Sequence, residues 1–118
     1  SKKKVCIMGL GYIGLPIAVL LANREYQVHG VDINQKKIDL INRGETHIVE
    51  PELNKFVCSA IKHGNFRANT KPAEADIFII GDDWKGRFDN LNKLCKVIYL
   101  PRTKDVSTTD ILKDIKTF

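Results

Sequence analysis

The ten residues Val5-Cys6-Ile7-Met8-Gly9-Leu10-Gly11-Tyr12-Ile13-Gly14 leave this chain little freedom in how it folds. An apolar run of strand length stops at Gly9. A G-x-G-x-x-G triplet follows, and an apolar segment of helical length, residues 15–22, begins at once. Strand, turn and helix in this order point unpaired N–H groups of a helix start at an anion. The three glycines do different things. Gly9 permits the tight turn, Gly11 lets backbone approach a pyrophosphate, and Gly14 lets helix and strand pack closely.

A lone G-x-G-x-x-G is a weak signal, and a glycine turn that only packs a helix on a sheet would look the same. Here the next strand-like run, Gln27 to Val31, ends at Asp32. That acid lies about 20 residues on, where a ribose-binding carboxylate belongs. Asp32 would repel a 2′-phosphate, which favours NAD over NADP; Lys36 and Lys37 beside it weaken that preference.

At 118 residues the chain is long enough for one domain with a real core, and 43% hydrophobic and 28% charged residues suit a soluble protein. No apolar run reaches the ~18 residues of a membrane span. Lys2-Lys3-Lys4 leads into a short strand and not into a cleavable leader, and Ser1 in place of Met suggests a processed or tag-cleaved start. Cys6, Cys58 and Cys95 show no metal or redox spacing, so no metal site is expected and a reducing cytoplasm fits. Cys6 and Cys58 read as core thiols. The net charge of +5 comes from scattered lysines without interleaved aromatics, which suits a nucleotide partner and argues against nucleic acid.

In order, the pattern predicts a first helix from Tyr12 to Asn23 and a second capped by Asn34 with Gly44 past its end. A third helix opens at Pro51, carries the stripe Leu53, Phe56, Val57, Ala60 and Ile61, and closes at Gly64. Phe66–Asn69, Ile77–Ile80 and Val97–Leu100 read as strands, Trp84–Leu94 as a turn and weak helix, and Ser107–Asp110 as a capping box before a last helix. Alternating strands and helices predict an α/β doubly wound parallel sheet of five strands, order 3-2-1-4-5, with helices on both faces. The ligand crevice falls at the C-terminal strand ends beside the first strand.

From Lys4 to about Ile80 the chain resembles the UDP-glucose/GDP-mannose dehydrogenase family, most of all its UDP-N-acetylmannosamine-type members. The stretches that carry the likeness are residues 8–16, Val31-Asp32-Ile33-Asn34, Ile41–Glu45 and Ile48-Val49-Glu50-Pro51. The resemblance implies a Rossmann-like, three-layer fold and NAD as cofactor. It implies NAD bound by the backbone of Gly11, Tyr12 and Ile13, in a cofactor-binding turn that includes Gly9 and Gly14, with Asp32 on the adenosine ribose and Lys37 at the same end. The family pattern breaks at Gly81-Asp82-Asp83-Trp84, and its later catalytic Cys and Lys have no counterpart in these residues; Cys95 lies in no matching motif.

The last part resembles the glycerol-3-phosphate cytidylyltransferase family, through residues 76–88, 97–103 and 107–109. That likeness implies CTP-phosphate contacts from Arg102, Thr103, Ser107, Thr108 and Thr109. Asp105 stands where that family usually has Gly, and its early His-x-x-Gly-His motif is missing, since His29, His47 and His63 are isolated. Residues 1–76 and 76–118 thus read as the two parts of an engineered chimera, one Rossmann-like domain crossed over inside an apolar strand that either parent could supply.

Neither reaction has its complete machinery here, so no catalytic residue is assigned. The expected function is NAD or nucleotide binding without catalysis, the alternative a folded scaffold that binds nothing or a fragment with residual character of either enzyme. Asp82 and Asp83 read as turn acids, Trp84 as either a base-stacking or a sheet-covering side chain, and His47 as an exposed loop histidine. The oligomeric state is not written in the residues.

Overall fold

A computed structural model describes residues 2–101. Five strands, β1 (Lys4–Met8), β2 (Gln27–Val31), β3 (Phe66–Asn69), β4 (Ile77–Gly81) and β5 (Lys96–Leu100), form one sheet in the order β3-β2-β1-β4-β5. Every pairing is parallel, with Ile7 beside Gly30 on one side and Ile79 on the other. The predicted strand order is therefore the observed one. The central strands are apolar because a strand flanked on both edges and both faces meets little water. Val5, Cys6, Ile7, Ile77 and Ile79 are fully buried.

Three helices connect the first strands: α1 (Gly14–Asn23), α2 (Gln35–Asn42) and α3 (Pro51–Lys62). Right-handed crossovers from β1 to β2 to β3 put all three on one face. The chain then returns across the sheet to β4, and the β4–β5 connection runs on the opposite face. There the expected weak helix is replaced by two 3-10 turns, Asp82–Trp84 and Asp89–Lys93. Gly86, with φ +86, separates them, and the stretch offers too few apolar residues to seat a full helix on the sheet. Phe88 covers this face instead, its ring 5.4 Å from that of Phe78. The predicted last helix, with Arg102, Thr103, Ser107, Thr108 and Thr109, lies outside the described residues.

Helix boundaries follow local chemistry. α1 starts two residues later than predicted, because Gly11 and Tyr12 are spent on the turn and Leu15 N–H makes the first helical bond, to the Gly11 carbonyl at 3.0 Å. Asn34 caps α2 as expected: its side-chain oxygen accepts from the N–H groups of Lys36 and Lys37 at 3.1 and 3.2 Å. Pro51 occupies the first turn of α3. Leu53, Val57 and Ala60 are buried, but Phe56 is 48% exposed and faces a groove shared with Pro16, Val19 and Leu20. Cys58 is half-buried, not a core thiol; Cys6 is fully buried.

The outer edge of β3 is held by a side chain. Asn42 at the end of α2 donates to the Ala68 carbonyl and accepts from the Ala68 N–H, each at 2.9 Å, as a neighbouring strand would.

Candidate functional site

The ends of β1 and β2 are tied before any ligand is considered. Gly9, at φ +100, turns the chain out of β1, a conformation that residues with a Cβ rarely adopt. Its N–H donates to the Val31 carbonyl at 2.7 Å. Leu10 then plunges into the core, fully buried. A Cβ on Gly14 would overlap the Gly9 carbonyl oxygen, so helix and strand approach as closely as backbone allows. Gly30 of β2 serves the same packing: a Cβ there would meet Leu10 and Phe66 at 2.8 Å each. The sequence reading missed Gly30, although a glycine inside a strand pattern is itself a signal of close approach.

Gly11 differs from both. A Cβ at Gly11 would touch nothing within 4 Å, and its φ is outside the positive region. The fold does not require glycine here. The N–H groups of Gly11, Tyr12 and Ile13 have no hydrogen-bond partner among the described residues. The turn therefore carries three N–H donors left unpaired among the described residues, beside open space at residue 11. The Tyr12 ring stands 72% exposed beside it.

Asp32 lies at the same end of the sheet, its side chain 11% exposed. Oδ2 accepts from the Leu10 N–H at 3.1 Å and from Lys37 Nζ at 3.2 Å; Oδ1 accepts from the Asn34 N–H at 3.0 Å. Burial pushes this carboxyl up, but the Asn34 and Leu10 N–H groups and the Lys37 ammonium outweigh burial and hold it below its ordinary value. His47, in the loop between α2 and α3, shares this environment. Partial burial, then the Lys37 ammonium, lowers its pKa, against the pull of Asp32.

A cleft of about 430 Å³ opens between the C-terminal ends of β1, β2 and β4. Met8, Gly9, Val31, Asp32, Ile33, Thr70, Gly81 and Trp84 line it, with Ile80, Asp83 and Phe88. This is the predicted crevice, at the point where the strand order reverses. Another hollow, of about 360 Å³ between Ala73, Phe78, Leu91, Leu94 and Cys95, lies by the opposite strand ends, away from the glycine turn. No group of three or more His, Cys, Asp or Glu side chains fit to hold a metal occurs among the described residues.

Residues 3–82 match the NAD binding domain of the UDP-glucose/GDP-mannose dehydrogenase family. The chain belongs to this family. It is 46% identical over 102 residues to the UDP-N-acetyl-D-mannosamine dehydrogenase of Campylobacter jejuni, covering 80% of this chain and 25% of that protein. It is 55% identical over 76 residues to the enzyme of that name from Salmonella typhimurium, covering 64% of this chain and 18% of that protein. The solved UDP-N-acetyl-mannosamine dehydrogenase of Staphylococcus aureus superposes with a TM-score of 0.69 at 27% identity, over 96% of this chain and 33% of that one. The chain thus spans a quarter or less of the length of those two curated relatives.

Within this family's fold the structure places Gly9, Gly11, Tyr12, Ile13, Gly14, Asp32 and Lys37 at one end of the sheet. No helix among the described residues is long and apolar enough to cross a membrane.

Proposed function

We propose that this chain is an NAD(H)-binding module whose phosphate contacts come from the turn at residues 9–14 and whose ribose contact is Asp32, with Lys37 beside it. The observation that carries the reading is Gly11: it has no steric or conformational reason to be glycine, yet it stands in a turn where the N–H groups of residues 11–13 have no hydrogen-bond partner among the described residues. The residues fit the cofactor. Backbone donors suit a pyrophosphate, and a carboxylate held ionised suits ribose hydroxyls. Bound there, NAD would supply hydride-accepting chemistry; this chain's residues would hold and orient it. The relatives named as dehydrogenases support participation in the oxidation of an N-acetylated nucleotide sugar, with the catalytic groups supplied by sequence these residues do not contain. In this reading residues 1–118 act as one domain in the cytoplasm.

A second reading keeps the chimeric origin, with residues 76–118 drawn from a cytidylyltransferase-like parent and CTP phosphates held by Arg102, Thr103 and Ser107–Thr109. The family match ending at residue 82 favours it. Against it, the Campylobacter relative aligns over 80% of the chain, which must extend past that point.

Amide NMR titrations with NADH and with CTP separate the readings. NADH is expected to shift residues 9–14 and 32. Shifts at 102–109 with CTP would favour the second reading, and no response to NADH would overturn the first.

A further inference from the structure

The cleft beside the glycine turn has a character of its own. Asp32 and Asp83 bring carboxylates to it, while Met8, Val31, Ile33, Ile80 and Trp84 make most of the rest apolar. Two of the residues lining the cleft are acids and none is a cation, so the phosphates of a nucleotide belong at the N–H groups of Gly11, Tyr12 and Ile13, which are unpaired among the described residues. What suits the cleft is flat, uncharged and partly apolar, as a nucleobase is.

Trp84 is the aromatic group placed to receive it. It ends the 3-10 turn that leaves β4 and is 44% exposed. Covering the sheet does not account for that exposure, because Phe88 already does so, packed against Phe78. Phe88 and the Arg87 guanidinium both support the indole, each 5.9 Å from its ring centre, which limits its freedom and lowers the cost of ordering it on binding. Trp84 also lies past the residues that match the family's NAD-binding domain, so membership alone gives it no role.

We propose that the Trp84 indole is the surface on which the adenine base of a bound nucleotide stacks, so that adenosine diphosphate alone binds here without a nicotinamide half. The inference rests on the nucleotide-binding reading above and adds to it the residue on which the base rests.

Trp84 is the chain's one tryptophan, so its fluorescence reports this site alone. The test titrates the protein with ADP, NADH and inorganic pyrophosphate, following tryptophan emission and, independently, heat of binding. ADP and NADH are expected to quench Trp84, with pyrophosphate binding silently. Trp84→Ala, checked for folding by circular dichroism, is expected to weaken ADP and NADH at least about tenfold, the order of a lost base–aromatic stack, and to leave pyrophosphate unchanged. Trp84→Phe should keep most of the affinity. If Trp84→Ala binds ADP and NADH like the parent, the stacking role is wrong and the glycine-turn reading stands. If the parent protein binds neither nucleotide, both fall.

Discussion

Gly11 and Gly14 stand three residues apart in one motif, yet packing holds only Gly14 to glycine. Replacing Gly14 by Ala drives a Cβ into the Gly9 carbonyl oxygen, a backbone atom that can move only if β1 and α1 separate. Overpacking of this kind costs typically ~1–3 kcal/mol, and a backbone obstacle places it at the upper end. Ala is the better helix former by up to about 1 kcal/mol, which offsets little of that at the first helical position. A loss of about 2–3 kcal/mol should lower the melting temperature by roughly 10 °C in a chain of this size. Gly11→Ala meets nothing within 4 Å and needs no positive φ. Its melting temperature should match or slightly exceed the parent's, because Ala narrows the unfolded ensemble by about 0.4–1 kcal/mol. Its methyl group fills the space an anion must enter, so NADH affinity should fall at least about tenfold, or ~1.4 kcal/mol. Thermal denaturation and calorimetric titration of both variants make the comparison. A Gly14→Ala protein as stable as the parent would refute the packing argument, and a Gly11→Ala protein that binds NADH normally would refute the anion site.

Asp32 makes the chain acid-sensitive in a defined direction. Its carboxyl is held below its ordinary value in the folded protein, so its stabilisation is complete well above pH ~4 and disappears as pH falls through the depressed value. Asp32→Asn should cost roughly 1–2 kcal/mol in denaturant titrations at pH 7, and the gap to the parent should close in acid; a gap independent of pH would contradict the assignment. Gly30→Ala should cost about 1–3 kcal/mol through Leu10 and Phe66. Because those neighbours are side chains, Phe66→Leu in the same protein should recover part of it, giving a double variant less destabilised than the two single losses added together.

The strand order, the three helices and the crevice were legible because each rests on local signals. Apolar strands stopped by Gly9 or Gly81, the Asn34 cap, and Pro51 at a helix start all act within a few residues. What escaped the sequence depends on distant partners. Gly30 is glycine because Leu10 and Phe66 meet over it, and Asn42 matters because it reaches the edge of β3. The composition of residues 84–94 suggests a helix, yet Gly86 and the large Phe78 and Phe88 rings favour tight turns over the sheet. Phe56 shares the helical spacing of the core stripe, but spacing sets only the angle around α3, not where the neighbouring α1 ends.

The Asp32 carboxylate shows how the fold prepares the site and what a ligand must change. Two carboxylate oxygens offer about four acceptor positions. Oδ2 already serves Leu10 and Lys37, and Oδ1 serves Asn34. Counting the described residues, one position on Oδ1 remains, so a ribose can place one hydroxyl without displacing any of these donors. A second hydroxyl must displace a donor. The Leu10 and Asn34 N–H groups are fixed, one by a buried residue in the glycine turn and the other by the cap of α2. Lys37 is the donor on a flexible stem, and moving it away from Asp32 uncovers the second acceptor while freeing an ammonium at the same end of the cleft. On the proposed function, then, the two backbone bonds keep the carboxylate aimed and ionised before binding, and Lys37 is the component that yields when the ribose arrives.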